Sequence, residues 1–136
     1  MVSTISFIQA NLQHSIAASE ILTRTAGVQG IGMALVQEQW YREDCIRGLN
    51  IHGCTFYCDT WKERSRACIL ARNRNAWVLP GLSCRDLVAI LIKYIEDGAE
   101  RRLDVFSAYL PYDYEDPSPQ GRWRNSCDTV RMRIYA

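Results

Sequence analysis

Residues 4–12, TISFIQANL, alternate apolar and polar positions with the period of two expected of a half-buried strand. Residues 14–30, HSIAASEILTRTAGVQG, carry apolar side chains at Ile16, Ala17, Leu22 and Ala26 and end in glycines, which predicts a helix over 15–27 and its stop. Residues 32–38, GMALVQE, are then continuously apolar, the pattern of a strand covered on both faces. The chain therefore opens strand, helix, strand. From residue 54 its character changes. CTFYCDTW, RACILARN, DLVAILIKY and LDVFSAYLPY read as strands of β-branched and aromatic residues separated by short turns with Gly, Asn and Pro. Such closely spaced strands imply mostly antiparallel pairing. After Tyr112 the apolar pattern weakens and Pro, Asp and Arg dominate, which predicts a loop and then a tail over 120–136.

Length and charge bound the picture without deciding it. The 136 residues suit one domain, and a net charge of +1 makes no global demand for nucleic acid or anionic lipid, though a local patch remains open. The longest apolar run, LVAILI at 87–92, is far shorter than the roughly 18 residues of a membrane span. The start MVSTISFIQA lacks the basic opening and the small-residue cleavage site of a secretory signal. No membrane association and an intracellular site, nuclear or cytoplasmic, are expected. In that setting the six cysteines read as reduced thiols. His52, Cys54 and Cys58 share strand-like even spacing, but a fourth metal ligand is missing and small buried hydrophobes describe the cysteines better.

One position asks for chemistry. ALVQEQW, at 34–40, ends an apolar strand on Glu38, between two glutamines and a tryptophan. An acid there is ordinarily the first solvated residue of a loop. The other reading is a functional carboxylate.

Taken together and in order, ISFIQANLQHS, ALVQEQW, RACILAR, CRDLVAILI and FSAYLPYDYEDPSP resemble the N-terminal half of the endonuclease domain of insect-type non-LTR retrotransposons. That domain is of the apurinic-endonuclease branch of the endonuclease/exonuclease/phosphatase superfamily. The resemblance covers about residues 3–119, and several co-linear motifs carry it. It implies an α/β (α+β) fold: part of a DNase I-like four-layer αββα sandwich, mainly one mixed sheet with a helix on its outer face. Residues 1–119 would form the partial domain and 120–136 a divergent tail.

The resemblance also implies a site. Glu38 matches the carboxylate that holds the catalytic Mg²⁺ or Mn²⁺, and a hard cation that keeps several waters suits one fixed acid plus substrate phosphate. Asn11 matches the asparagine that orders the metal site, a role fitting an amide that donates and accepts at once. Tyr109 matches the tyrosine whose hydroxyl points at the scissile phosphate. There are departures. Tyr112 stands where an asparagine is frequent, Gln39 stands where proline is usual, and His14 is not the family's catalytic histidine but a surface residue at the helix start.

The family hydrolyses DNA phosphodiesters by letting the metal polarise the phosphate while an Asp/His pair activates water. Its Gly-Asp-x-Asn and Ser-Asp-His segments do not occur in these 136 residues, whose only histidines are His14 and His52. The expectation is an incomplete copy of the endonuclease domain that holds its metal weakly and does not cut DNA. The alternative is a non-catalytic nucleic-acid-binding or interaction fragment using WKERSRACILARNRNAW at 61–77, whose plain reading is a solvated hairpin face. A phosphatase or lipid phosphodiesterase of the same superfamily is disfavoured by the motifs. Half a sandwich should also leave an apolar sheet face and an unpaired edge open to self-association.

Overall fold

The computed structural model describes residues 5–59, 64–72 and 75–110. The 120–136 tail and the boundary at 119 lie outside the described residues. Strand β1 (Phe7–Asn11) leads through helix α1 (Ile16–Gln29) to β2 (Met33–Gln37), which lies parallel to β1. Ser15 caps the helix by accepting the Ala18 N–H on its hydroxyl at 3.2 Å. Gly30, at φ +60°, ends it in the left-handed conformation that glycine adopts freely, and the helix runs two residues past its predicted end at 27. The expected apolar stripe is narrow: Ser19, Leu22 and Ala26 are buried, whereas Ile16 stands 47% exposed.

A short ribbon follows, β3 (Tyr41–Arg42) and β4 (Cys45–Ile46), which the sequence pattern did not announce. Next come β5 (Cys54–Tyr57), β6 (Ala67–Arg72), β7 (Asn75–Val78), β8 (Leu87–Glu96) and β9 (Ala99–Ala108). β1, β2, β6 and β5 form a mixed sheet in that order, with β6 antiparallel to both its neighbours. β7, β8 and β9 form an antiparallel sheet of their own, its β8–β9 turn made by Asp97 and Gly98 at φ 51° and 76°.

The mixed sheet with a helix on its outer face is the fold the sequence implied. The strands after residue 75 do not extend it, and the reason lies in β2 and β6. Apart from Gln37 and Arg72 at their ends both are apolar, so their residues divide by parity between two cores. Ala34, Val36, Cys68 and Leu70 pack with Leu22 and Ala26 of α1. Met33, Ile69, Ala67 and Ala71 pack with Val88, Ile90, Ile92 and Val105 of β8 and β9. A strand pair apolar on both faces needs cover on both, and the second sheet supplies it. The inner sheet face expected to stand open is therefore covered, while Trp77 (49% exposed) and Ile95 (67%) remain in the open among the described residues.

Polar atoms tie the two sheets at one rim. The Gln37 amide donates to Ser107 Oγ at 2.9 Å, and that hydroxyl donates to the Val36 carbonyl at 3.1 Å. All three groups belong to buried residues, so each bond also removes the cost of an unpaired polar atom. No helix among the described residues is long and apolar enough to cross a membrane.

The double-core arrangement sets a thiol test. Cys68 is fully buried, and burial pushes its thiol well above the usual range, whereas Cys45 is exposed. Alkylation with iodoacetamide at mildly alkaline pH, mapped by mass spectrometry, should label Cys45 in the native protein and Cys68 only on unfolding. Equal labelling rates would contradict the packing of β6.

Candidate active site

Glu38 is the residue at which β2 stops being a strand. Its φ of 50° turns the chain into the left-handed region, at a cost of roughly 1–2 kcal/mol for a residue with a Cβ. Two backbone bonds hold it there. Its N–H donates to the Arg66 carbonyl at 2.8 Å, and its carbonyl accepts the His14 N–H at 2.8 Å. The carboxylate is thus fixed between the start of β6 and the loop that enters α1. Its side chain is 19% exposed.

Tyr109 reaches the same place from the other sheet, just beyond the end of β9. Burial first, then the nearby Glu38 carboxylate, raise its phenol above the ordinary value against the pull of Arg66, so the hydroxyl stays a donor.

Two residues that sequence reasoning passed over hold the pair. Arg66 binds Asp86 through both ends of its guanidinium, Nε to Oδ1 at 2.5 Å and the second nitrogen to Oδ2 at 2.6 Å, with both side chains about four-fifths buried. The same guanidinium lies over the Tyr109 ring, 4.7 Å from its centroid. Their backbones complete the frame: the Asp86 carbonyl accepts the Tyr109 N–H at 2.7 Å, and the Arg66 carbonyl takes the Glu38 N–H. One ion pair thus joins the segments that carry the two functional side chains. The signal was present in RACILAR and CRDLVAILI, each of which places a charge directly ahead of an apolar strand.

Asn11 sits at the end of β1, aligned with Gln37, one residue from Glu38. Its side-chain oxygen accepts the Gln13 N–H at 2.9 Å and shapes the loop, and among the described residues no group takes its amide hydrogens. Asn11, Glu38 and Tyr109 thus gather on one rim, but a rim of two facing sheets and not of a single one. His14 is nearer this rim than its reading as a surface residue suggests. Its Nδ1 lies 3.1 Å from the Gln39 carbonyl, and Nε2 is 3.7 Å from Glu38 Oε1, with the side chain 56% exposed. As the Nδ1–H tautomer it turns a lone pair towards the carboxylate; only the protonated ring makes an ion pair.

What the rim can hold follows from its donors. Among the described residues no group of three His, Cys, Asp or Glu side chains gathers as a metal cage. Asp86 is committed to Arg66. One carboxylate, Glu38, beside an amide and a phenol fits a hard divalent cation that keeps most of its water, and does not fit zinc.

The ion pair predicts its own test. Asp86→Ala leaves a largely buried guanidinium without this carboxylate and should lower stability by about 1–3 kcal/mol, read as a shift of the urea midpoint at unchanged slope. The Tyr109 ring should lose its single environment in the same variant, seen with ring-labelled tyrosine by NMR. Asp86→Glu should restore part of both.

No protein-family model matches the chain, and no curated protein does. Solved structures do. The endonuclease domain of TRAS1, a telomere-specific non-LTR retrotransposon, aligns with 96% of this chain and 55% of its own length, with a TM-score of 0.66 and 20% identity. An endonuclease/exonuclease/phosphatase family protein from Leptotrichia buccalis C-1013-b aligns with 96% of this chain and 63% of its own, with a TM-score of 0.55 and 12% identity. The chain thus spans less than two thirds of either structure. At these identities the likeness is one of fold: a mixed α/β chain that takes the fold of the endonuclease/exonuclease/phosphatase domains and resembles that of a non-LTR retrotransposon endonuclease.

Proposed function

We propose that this chain is the N-terminal part of a retrotransposon-type DNA endonuclease domain, carrying the metal-binding half of a phosphodiester-hydrolysing site. The observation that carries the reading is the convergence of Glu38 and Tyr109, which come from different sheets and are held in place by the same ion pair. Glu38 would hold a Mg²⁺ or Mn²⁺ ion, which supplies charge to polarise a phosphate. Tyr109, kept as a donor, would turn its hydroxyl to a phosphate oxygen and stabilise charge that develops there. The amide hydrogens of Asn11 would orient water or carboxylate at the same rim.

What these residues do not supply is a general base. The Gly-Asp-x-Asn and Ser-Asp-His segments are absent from the 136 residues, and a base that positions and activates water contributes typically 10²–10⁴-fold in rate. The chain as it stands is read as binding metal and DNA without cutting. The second reading, a binding fragment that uses the Arg-rich segment 61–77, meets an obstacle in the packing. Residues 61–63, 73 and 74 lie outside the described residues, but Arg64 pairs with Asp44, Arg66 with Asp86, and Arg72 donates to the Ile31 carbonyl. β6 itself is a central strand.

Supercoiled plasmid incubated with the chain and Mg²⁺ or Mn²⁺ should stay unnicked. Mn²⁺ binding followed by electron paramagnetic resonance should be weak and should be lost in Glu38→Ala. Cleavage abolished by that substitution would mean that the residues present make a complete site; Mn²⁺ binding indifferent to it would remove Glu38 as the ligand. Weak, concentration-dependent self-association through the open face bearing Trp77 and Ile95 belongs to the same reading, and sedimentation velocity measures it.

A further inference from the structure

Two residues beyond Glu38 the surface opens into a cleft of roughly 390 Å³ lined by Trp40, Arg42, Glu43 and Arg47. The β3–β4 ribbon builds it by its pairing. Trp40 and Arg42 are two apart and face the same side, and the Arg47 N–H donates to the Trp40 carbonyl at 3.0 Å, placing Arg47 across the ribbon from the indole. The turn at the ribbon tip uses Glu43 and Asp44 at φ 52° and 61°, the twist that a two-residue hairpin prefers.

The base of the ribbon is fixed. Gly48, at φ +79°, lies so close to α1 that a Cβ there would stand 2.9 Å from Ser19 Cβ and 3.6 Å from the Trp40 ring, and its carbonyl accepts the Thr23 hydroxyl at 2.9 Å. On the other flank Gln39 is fully buried and donates to the Ser65 carbonyl at 2.8 Å. The cleft is therefore pre-formed and held in register with Glu38.

Its charges are uncommitted. Arg64, Arg66, Arg101 and Arg102 all have carboxylate partners, whereas Arg42 and Arg47 make no ion pair among the described residues, even with Glu43 beside them. Two open guanidinium forks beside a partly exposed indole match one class of ligand closely. Guanidiniums bind phosphate oxygens in pairs, and an indole face stacks any unpaired base.

We propose that this cleft binds a single strand of nucleic acid, with phosphates on Arg42 and Arg47 and a base on Trp40, guiding the strand towards Glu38. The site rests on the reading above that the neighbouring rim acts on DNA, and it supplies a strand-holding surface which that reading does not contain.

The test uses the whole 136-residue chain and a fluorescein-labelled, mixed-sequence single-stranded DNA, with affinity measured by anisotropy between 50 and 200 mM KCl. Each of Arg42→Gln and Arg47→Gln should weaken binding and lower the slope of log affinity against log salt by about 0.7, the value for one phosphate contact on a single strand. Trp40→Leu should weaken binding about tenfold with little change in slope, and Trp40→Tyr should recover most of the loss. Heparin, a polyanion without bases, should respond to the arginine substitutions and not to Trp40→Leu. Unchanged slopes in both arginine variants overturn the proposal, as does an equal drop in Arg24→Gln, an exposed helix residue outside the cleft. Equal losses of heparin and DNA binding in Trp40→Leu overturn the stacking role. The outcomes separate the two readings: a wild-type chain that binds no DNA at 50 mM salt sinks the DNA reading along with the cleft. Binding that persists in all three cleft variants sinks the cleft alone.

Discussion

Everything in this molecule is arranged around a strand pair that has no solvent face. β2 and β6 are antiparallel, adjacent and apolar up to Gln37 and Arg72 at their ends, so water must be kept from both sides of the ribbon they form. α1 shields one side and β8 and β9 the other. Because the same two strands serve both cores, the layers cannot shift independently. Whatever is attached to the ends of β2 and β6 inherits that rigidity, and Glu38 and Arg66 are attached there.

The rim is built by short connections between rigid ends. Arg66 precedes β6, Asp86 precedes β8, Glu38 follows β2 and Tyr109 follows β9. Each lies one residue outside a strand, where the backbone is free to bend but the strand fixes its origin. The ion pair then joins the two sheets at the place where their regular hydrogen bonding has ended. Gln37 and Ser107 do the same one step further in. The polar groups become more exposed from Ser107 to Glu38 as the packed interior gives way to a wet surface, and among the described residues Gln39 Oε1 alone stays buried without a partner.

The parts legible in the sequence are those where one physical rule acts alone. The β1–α1–β2 opening could be read because period two, a helical stripe and a continuous apolar run follow one another with glycines as punctuation. The division into two sheets could not be read from periodicity, since a strand buried on both faces has no period and does not say what covers its second face. The ribbon at 41–46 escaped because two-residue strands carry no pattern. Among the site residues, Glu38 drew notice as a charge out of place and Tyr109 through the resemblance. Arg66 and Asp86 drew no notice, because their pairing depends on a contact between residues from two sheets that no local rule expresses. The approach of His14 to Glu38 escaped for the same reason, although His14 is the exposed residue at the helix start that was expected: the turn is made by positive φ at Gln13 and His14, where no glycine marks it.

The backbone of Glu38 has a consequence for how this position could change. A residue at φ 50° would sit more comfortably as glycine, which would relieve about 1–2 kcal/mol of local strain while adding up to about 1 kcal/mol of freedom to the unfolded chain. The two terms nearly cancel. Folding is therefore almost indifferent to losing this side chain, and nothing in the stability of the molecule would warn that it had gone. A copy of this domain released from selection for chemistry would be free to drift to glycine here first, keeping its shape after its carboxylate was lost.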